Sequence, residues 1–206
     1  MKKAMTISYE VGNNLYLNLT NKCPCSCTFC IRQNADGAYG SDPLWLEHEP
    51  SMDEIKEDLE KRDLAKYGEI VFCGYGEPTE RLETLLETAA YLRSRENCPK
   101  LRINTNGLGE AVNGTDGSTA ERLCDALDII AVSLNAGTED EYMKVTRPRF
   151  ENAFAIMQKF TADCVKTGKA EVTMSVVDVI PQEQIDASRE IAEKLGARLR
   201  VREYEE

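Results

Sequence analysis

Four of the eight cysteines in this chain fall within one run of eight residues, Cys23-Pro-Cys25-Ser-Cys27-Thr-Phe29-Cys30. Three of them, Cys23, Cys27 and Cys30, follow the spacing C-x3-C-x2-C. Thiolates this close along a loop can hold three corners of a cubane iron–sulfur cluster while the chain wraps it. The fourth iron then lacks a protein ligand and is open to a substrate or cofactor. An aromatic, Phe29, stands just before the last cysteine. Cys25 sits inside the run but off the spacing, as a spare thiol, a radical-quenching partner or a residue with no role. All four thiols together could instead bind zinc. Structural zinc sites, however, draw ligand pairs from separate segments, and four thiolates this close would strain a tetrahedron.

The elements that must position this loop can be read around it. Residues 6–10 and 15–19, joined by Gly12-Asn13-Asn14, read as a hairpin leading into the first core strand. The polar stretch 33–50 is too long for a simple connection, and its Tyr39, Leu44 and Trp45 make it a candidate wall or lid. Ser51 or Asp53 can cap a helix running to about Tyr67. Strands are expected at 69–73, 101–104, 128–134, 171–179 and 198–202. Helices are expected at 79–95, 119–127, 138–145, 150–167 and from Pro181 to about Leu195, with a Gly- and Asn-rich loop at 108–118. Strands alternating with helices imply a parallel sheet with right-handed crossovers. A closed eight-unit barrel needs about 250 residues, and this chain has 206. The expectation is therefore an α/β fold, a partial (βα)6 barrel with a small N-terminal hairpin, as a single domain over residues 1–206.

Active sites of such barrels lie at the carboxyl ends of the strands, and the unusual residues collect there. After the cysteines come Gly74-Tyr75-Gly76-Glu77-Pro78 behind strand two and Asn104-Thr105-Asn106-Gly107 behind strand three. Ser133 and Asn135 flank the end of strand four, and Asp178 lies near the end of strand five. Without the cysteines, the Gly76-Glu77-Pro78 stretch would read as a plain turn before a helix.

Composition limits the alternatives. Apolar residues make up 42% and charged residues 30%, ordinary for a globular protein. The 25 basic and 36 acidic residues give a net charge of −11, which argues weakly against a duplex-binding protein. No apolar run suggests a membrane span or a signal peptide, so a cytoplasmic location is expected. Bunched cysteines beside the scattered Cys73, Cys98, Cys124 and Cys164 fit one metal site in a reducing compartment better than a disulfide scaffold.

The cysteine loop closely resembles the signature of the radical S-adenosylmethionine (SAM) superfamily, and Gly76-Glu77-Pro78 resembles its glycine–glutamate turn. The resemblance implies a [4Fe–4S] cluster on Cys23, Cys27 and Cys30 that reductively cleaves SAM to methionine and a 5′-deoxyadenosyl radical, which abstracts hydrogen from a substrate. It implies SAM contacts at Phe29, Gly74, Tyr75, Gly76, Glu77, Asn104, Ser133, Asn135 and Arg147, and a one-electron reductant such as a flavodoxin or ferredoxin. Tyr75 departs from the pattern, since many members carry consecutive glycines there. Residues 14–19, Cys30-Ile31-Arg32-Gln33-Asn34, Tyr39-Gly40-Ser41-Asp42 and 72–79 look like the TatD-associated group, named for genetic association with a TatD-type nuclease. A chain with one histidine carries no nuclease metal site of its own. The substrate, a small molecule, peptide or nucleotide, is left open. An activase-like protein that places a radical on a partner polypeptide is the alternative.

Overall fold

In the computed structural model, which describes residues 2–203, seven strands form one sheet in the order β1-β2-β3-β4-β5-β6-β7. They are β1 (Ser8–Val11), β2 (Asn14–Leu17), β3 (Glu69–Phe72), β4 (Lys100–Thr105), β5 (Ile129–Ser133), β6 (Glu171–Val177) and β7 (Arg198–Arg202). Only the β1–β2 hairpin is antiparallel; every later neighbour pairs in parallel and the sheet does not close. This is the expected partial barrel with its hairpin.

The helices α1 (Met52–Glu60), α2 (Leu82–Arg93), α3 (Gly109–Asn113), α4 (Ser118–Ala126), α5 (Glu139–Thr146), α6 (Ala153–Thr167) and α7 (Gln182–Leu195) fill the crossovers. Side chains alternate across a strand, and one face of the sheet is apolar. Ile70, Phe72, Leu101, Ile103, Ile130, Val132, Met174 and Val176 are buried there with Ile55, Leu85, Leu92, Leu123 and Phe160 of the helices. A buried aliphatic or aromatic side chain contributes about 1.5–3 kcal/mol, so this face holds the fold together. The other face carries Tyr16, Arg102, Asn104, Ser133, Thr173, Ser175 and the β7 arginines, as the strand register dictates.

Two elements differ from expectation. The first helix stops at Glu60 instead of about Tyr67, with a separate 3-10 turn at Leu64–Lys66. There Arg62 turns back, donating Nε to the Ser8 hydroxyl (3.0 Å) and Nη2 to the Ser8 carbonyl (3.1 Å), which fixes the chain against β1. The loop at 108–118 contains the short α3, whose Glu110 is buried and accepts from the backbone of Ala120 (2.9 Å) at the start of α4. Ser51 caps α1 as expected, in a reciprocal box with Glu54.

The 33–50 stretch is an ordered wall. Its Ala38, Leu44 and Trp45 form a second apolar cluster with Tyr9, Tyr16 and Tyr75. Asn21 exchanges two hydrogen bonds with the Leu46 backbone (2.8 and 3.0 Å), and Asn18 donates to the Leu44 carbonyl (2.8 Å).

Candidate active site at the strand ends

The cysteine loop leaves β2 and is fastened to the far side of the sheet by its backbone. Ser26 N–H donates to the Thr146 carbonyl (3.0 Å), Thr28 N–H to Val145 (2.8 Å) and Arg149 N–H to Pro24 (2.9 Å). These backbone bonds hold the loop without drawing on its thiols. Cys23, Cys27 and Cys30 are half-buried, whereas Cys25 is buried. Cys25 hydrogen-bonds to both Cys23 and Cys27, which lowers the pKa of those two thiols and raises its own. Burial pushes the Cys30 thiol up. Arg32 stands beside them, donating Nη2 to the Cys25 carbonyl (3.0 Å) and Nη1 to the Tyr75 carbonyl (3.3 Å), and its positive charge favours the thiolates. Asn106 brings its amide nitrogen to the Cys23 and Cys25 sulfurs (3.9 and 3.8 Å). The sequence places Asn106 at a strand end and Arg32 behind the last cysteine, but gives neither a partner, because the partners depend on which strand ends meet.

Among the described residues, no three His, Cys, Asp or Glu side chains are set to hold one metal ion. A cubane takes one thiolate per iron, so its three ligands need not converge on a point.

The turn after β3 is built into the scaffold. A Cβ on Gly74 would stand 2.0 Å from the Asn18 side chain, and one on Gly76 would stand 2.3 Å from the Thr20 carbonyl and 2.5 Å from that of Lys22. These glycines let the turn press against the strand that delivers the cysteines. Tyr75 is buried, packs edge-on against Trp45 at 5.3 Å and donates to the Ala35 and Gly37 carbonyls (2.8 and 3.0 Å). Its side chain anchors the 33–50 wall.

Glu77 is 4% exposed. Its Oε1 accepts from Thr79 N–H (3.2 Å), Thr79 Oγ1 (2.9 Å) and Thr105 Oγ1 (2.7 Å), and its Oε2 from Asn106 N–H (2.8 Å). Burial raises its pKa against those donors. Glu77 thus ties the end of β3 to the end of β4.

The end of β5 is different. Asn135 is buried with a left-handed backbone (φ 65°), and its Oδ1 has no hydrogen-bond partner. Buried polar atoms are seldom left unpaired, so this oxygen suits a ligand's donor. Ser133 is half-buried on the same strand end as Asn135, and Asn104 holds a half-buried place on β4 beside Cys73. Phe29 is partly buried against the core. Arg147 caps α5 in the left-handed region (φ 45°), exposed, next to the backbone that fastens the cysteine loop. Asp178 is exposed just past β6.

Residues 17–195 match the family model described as Radical SAM superfamily. Among solved structures, SuiB of Streptococcus suis is similar at 18% identity and a TM-score of 0.66, over 94% of this chain and 40% of that one. The FeFe-hydrogenase maturase HydG from Carboxydothermus hydrogenoformans is similar at 14% identity and a TM-score of 0.67, over 94% of this chain and 44% of that one. Methylornithine synthase (PylB) is similar at 16% identity and a TM-score of 0.62, over 93% of this chain and 53% of that one. At these identities the likeness is one of fold. The chain spans about half or less of each of these proteins' length. No curated protein matches the chain. No helix among the described residues is long and apolar enough to cross a membrane.

Proposed function

The chain belongs to the Radical SAM superfamily, and on that premise we propose that it is an enzyme holding a [4Fe–4S] cluster on Cys23, Cys27 and Cys30 and SAM across the ends of β3 to β5. When bound, the cluster and SAM supply reductive cleavage to methionine and a 5′-deoxyadenosyl radical, with hydrogen abstraction from a substrate.

The observation that carries the reading is the condition of the three thiols. They project from a loop whose backbone is fastened elsewhere, they are half-buried, and two of them are biased toward thiolate by the Cys25 thiol, with Arg32 adding its charge. A thiolate is the form that ligates metal. The unpaired Asn135 Oδ1 supports the SAM part, as an acceptor for a hydroxyl or ammonium donor. Glu77 contributes by fixing two strand ends, and Tyr75 by holding the wall that screens the site from water.

The same reading carries a one-electron protein reductant of flavodoxin or ferredoxin type, a cytoplasmic setting and a single domain. It also carries kinship with the TatD-associated group and, through that group, an association with a TatD-type nuclease. The test is 5′-deoxyadenosine formation by anaerobically reconstituted, dithionite-reduced protein given SAM, beside Cys27→Ala. Product in the wild type and none in the variant is expected. An intact cluster that never yields product sinks the proposal.

A further inference from the structure

The last strand reads Arg198-Leu199-Arg200-Val201-Arg202, and the register with β6 sets the three arginines on the sheet face away from the helices, beside Thr173, Ser175 and Val177. Charges on an edge strand are often a guard against edge-to-edge pairing. That account suits Arg198, which is exposed and pairs with Glu171. It does not suit Arg202, whose Nε is buried without a hydrogen-bond partner.

The register across β4 to β7 sets Arg102 on the same sheet face as Arg200 and Arg202. Arg102 of β4 donates to the Tyr16 hydroxyl (3.3 Å) and pairs with Glu69 (3.3 Å). Burial raises the Cys73 thiol pKa, and Arg202 and Arg102 both pull it back. Tyr16 likewise feels Arg102 and Arg200. The carboxylates of this face are placed unevenly. Glu69 and Glu171 open their strands and occupy Arg102 and Arg198, while Glu77 is filled by its own four donors. Asp178 sits on the rim, its N–H bonded to the Arg202 carbonyl (3.0 Å). A chain of net charge −11 thus carries two arginines, Arg200 and Arg202, on one face of the carboxyl half of β7.

We propose that Arg200 and Arg202 bind an anionic oxygen group of the substrate, a phosphate or a carboxylate. This rests on the radical reading and gives its substrate a chemical class. Guanidinium offers planar paired donors that match both anions, and a buried Nε left without an acceptor is the kind of donor such a group would satisfy.

The experiment is calorimetric titration of the reconstituted full chain with inorganic phosphate and, separately, with malonate, against sodium chloride at matched ionic strength. Saturable binding of at least one anion is expected, and the tighter of the two identifies phosphate or carboxylate. The double variant Arg200→Gln/Arg202→Gln should bind at least tenfold more weakly, while Arg189→Gln, exposed on α7, should match wild type. Arg202→Lys keeps a charge and a long stem but loses the paired donors, and should weaken binding several-fold even if the double variant fails to fold. Absence of saturable binding, or undiminished binding by folded Arg202→Lys, overturns the proposal. So does loss of phosphate binding at saturating SAM, which would assign the guanidinium groups to the SAM carboxylate. Phosphate binding unchanged by SAM supports it. Failure to form 5′-deoxyadenosine would sink the radical reading and leave these binding curves intact.

Discussion

The turns that close β3 and β5 bring polar side chains to the same end of the sheet and treat them in opposite ways. After β3, Glu77 meets four donors, the glycines are pressed against Asn18 and the Thr20 and Lys22 carbonyls, and Tyr75 is spent on the wall. After β5, Asn135 holds a strained backbone and a buried oxygen with no partner. Both stretches look like ligand contacts in sequence. In three dimensions one is a joint and the other holds a buried acceptor that its own fold does not use. The difference teaches that a polar residue at a strand end is a better ligand candidate when its own fold leaves it unsatisfied.

Substitutions can break this contrast. The largest effect is expected for Gly76→Ala, whose new methyl would overlap the Thr20 and Lys22 carbonyls. A loss of about 3 kcal/mol or more in denaturant unfolding is predicted, along with poor cluster loading because the cysteine strand must shift. Near-wild-type stability would show that the β3 turn is not the joint described.

Glu77→Gln comes next. It sets an amide N–H₂ among donors and should cost about 1–3 kcal/mol. The pH dependence has a definite sign. Folded Glu77 holds its proton more tightly than the unfolded chain does, so its contribution favours the fold below the usual carboxylate pKa and is lost as pH rises through the raised folded value. The stability gap between wild type and Glu77→Gln should therefore be widest in acid and narrow toward neutral pH. A gap that widens with pH would contradict the burial argument.

Asn135→Gly should do the reverse. It relieves the left-handed backbone and removes the unpaired oxygen, so thermal stability should hold or rise by up to about 1 kcal/mol. SAM affinity should fall about tenfold, near 1.4 kcal/mol. Lower stability with unchanged SAM binding would make the two turns alike. The smallest effect is expected for Tyr75→Phe, which frees the Ala35 and Gly37 carbonyls at about 0.5–1.5 kcal/mol. It should show as faster hydrogen exchange confined to the 33–50 wall.

Much of this was legible in the chain itself. Continuous apolar strands and amphipathic helices announced the open parallel sheet, and the cysteine spacing marked the loop. Local signals failed where long-range contacts decide. Nothing near Arg62 says that it will bond Ser8 and end α1, and the Gly- and Asn-rich context of 109–113 hides a helix fixed by Glu110. The partners of Glu77 lie on the next strand, so its role as a joint could not be read from its own turn. Arg200 and Arg202 read only as the polar half of an edge strand. That the Arg202 Nε is buried without a partner depends on tertiary packing, which no short stretch encodes.

The fastening of the cysteine loop has a consequence for biosynthesis. Thr28 is bonded to Val145, 117 residues later in the chain. At about 5–20 residues per second, the thiols leave the ribosome on the order of ten seconds before their clamp is made. During that interval the nascent loop is a floppy thiol-rich segment, open to oxygen and to mispairing. On the proposed reading, a cluster delivered after the 145–149 turn has emerged meets a loop that is already held in place.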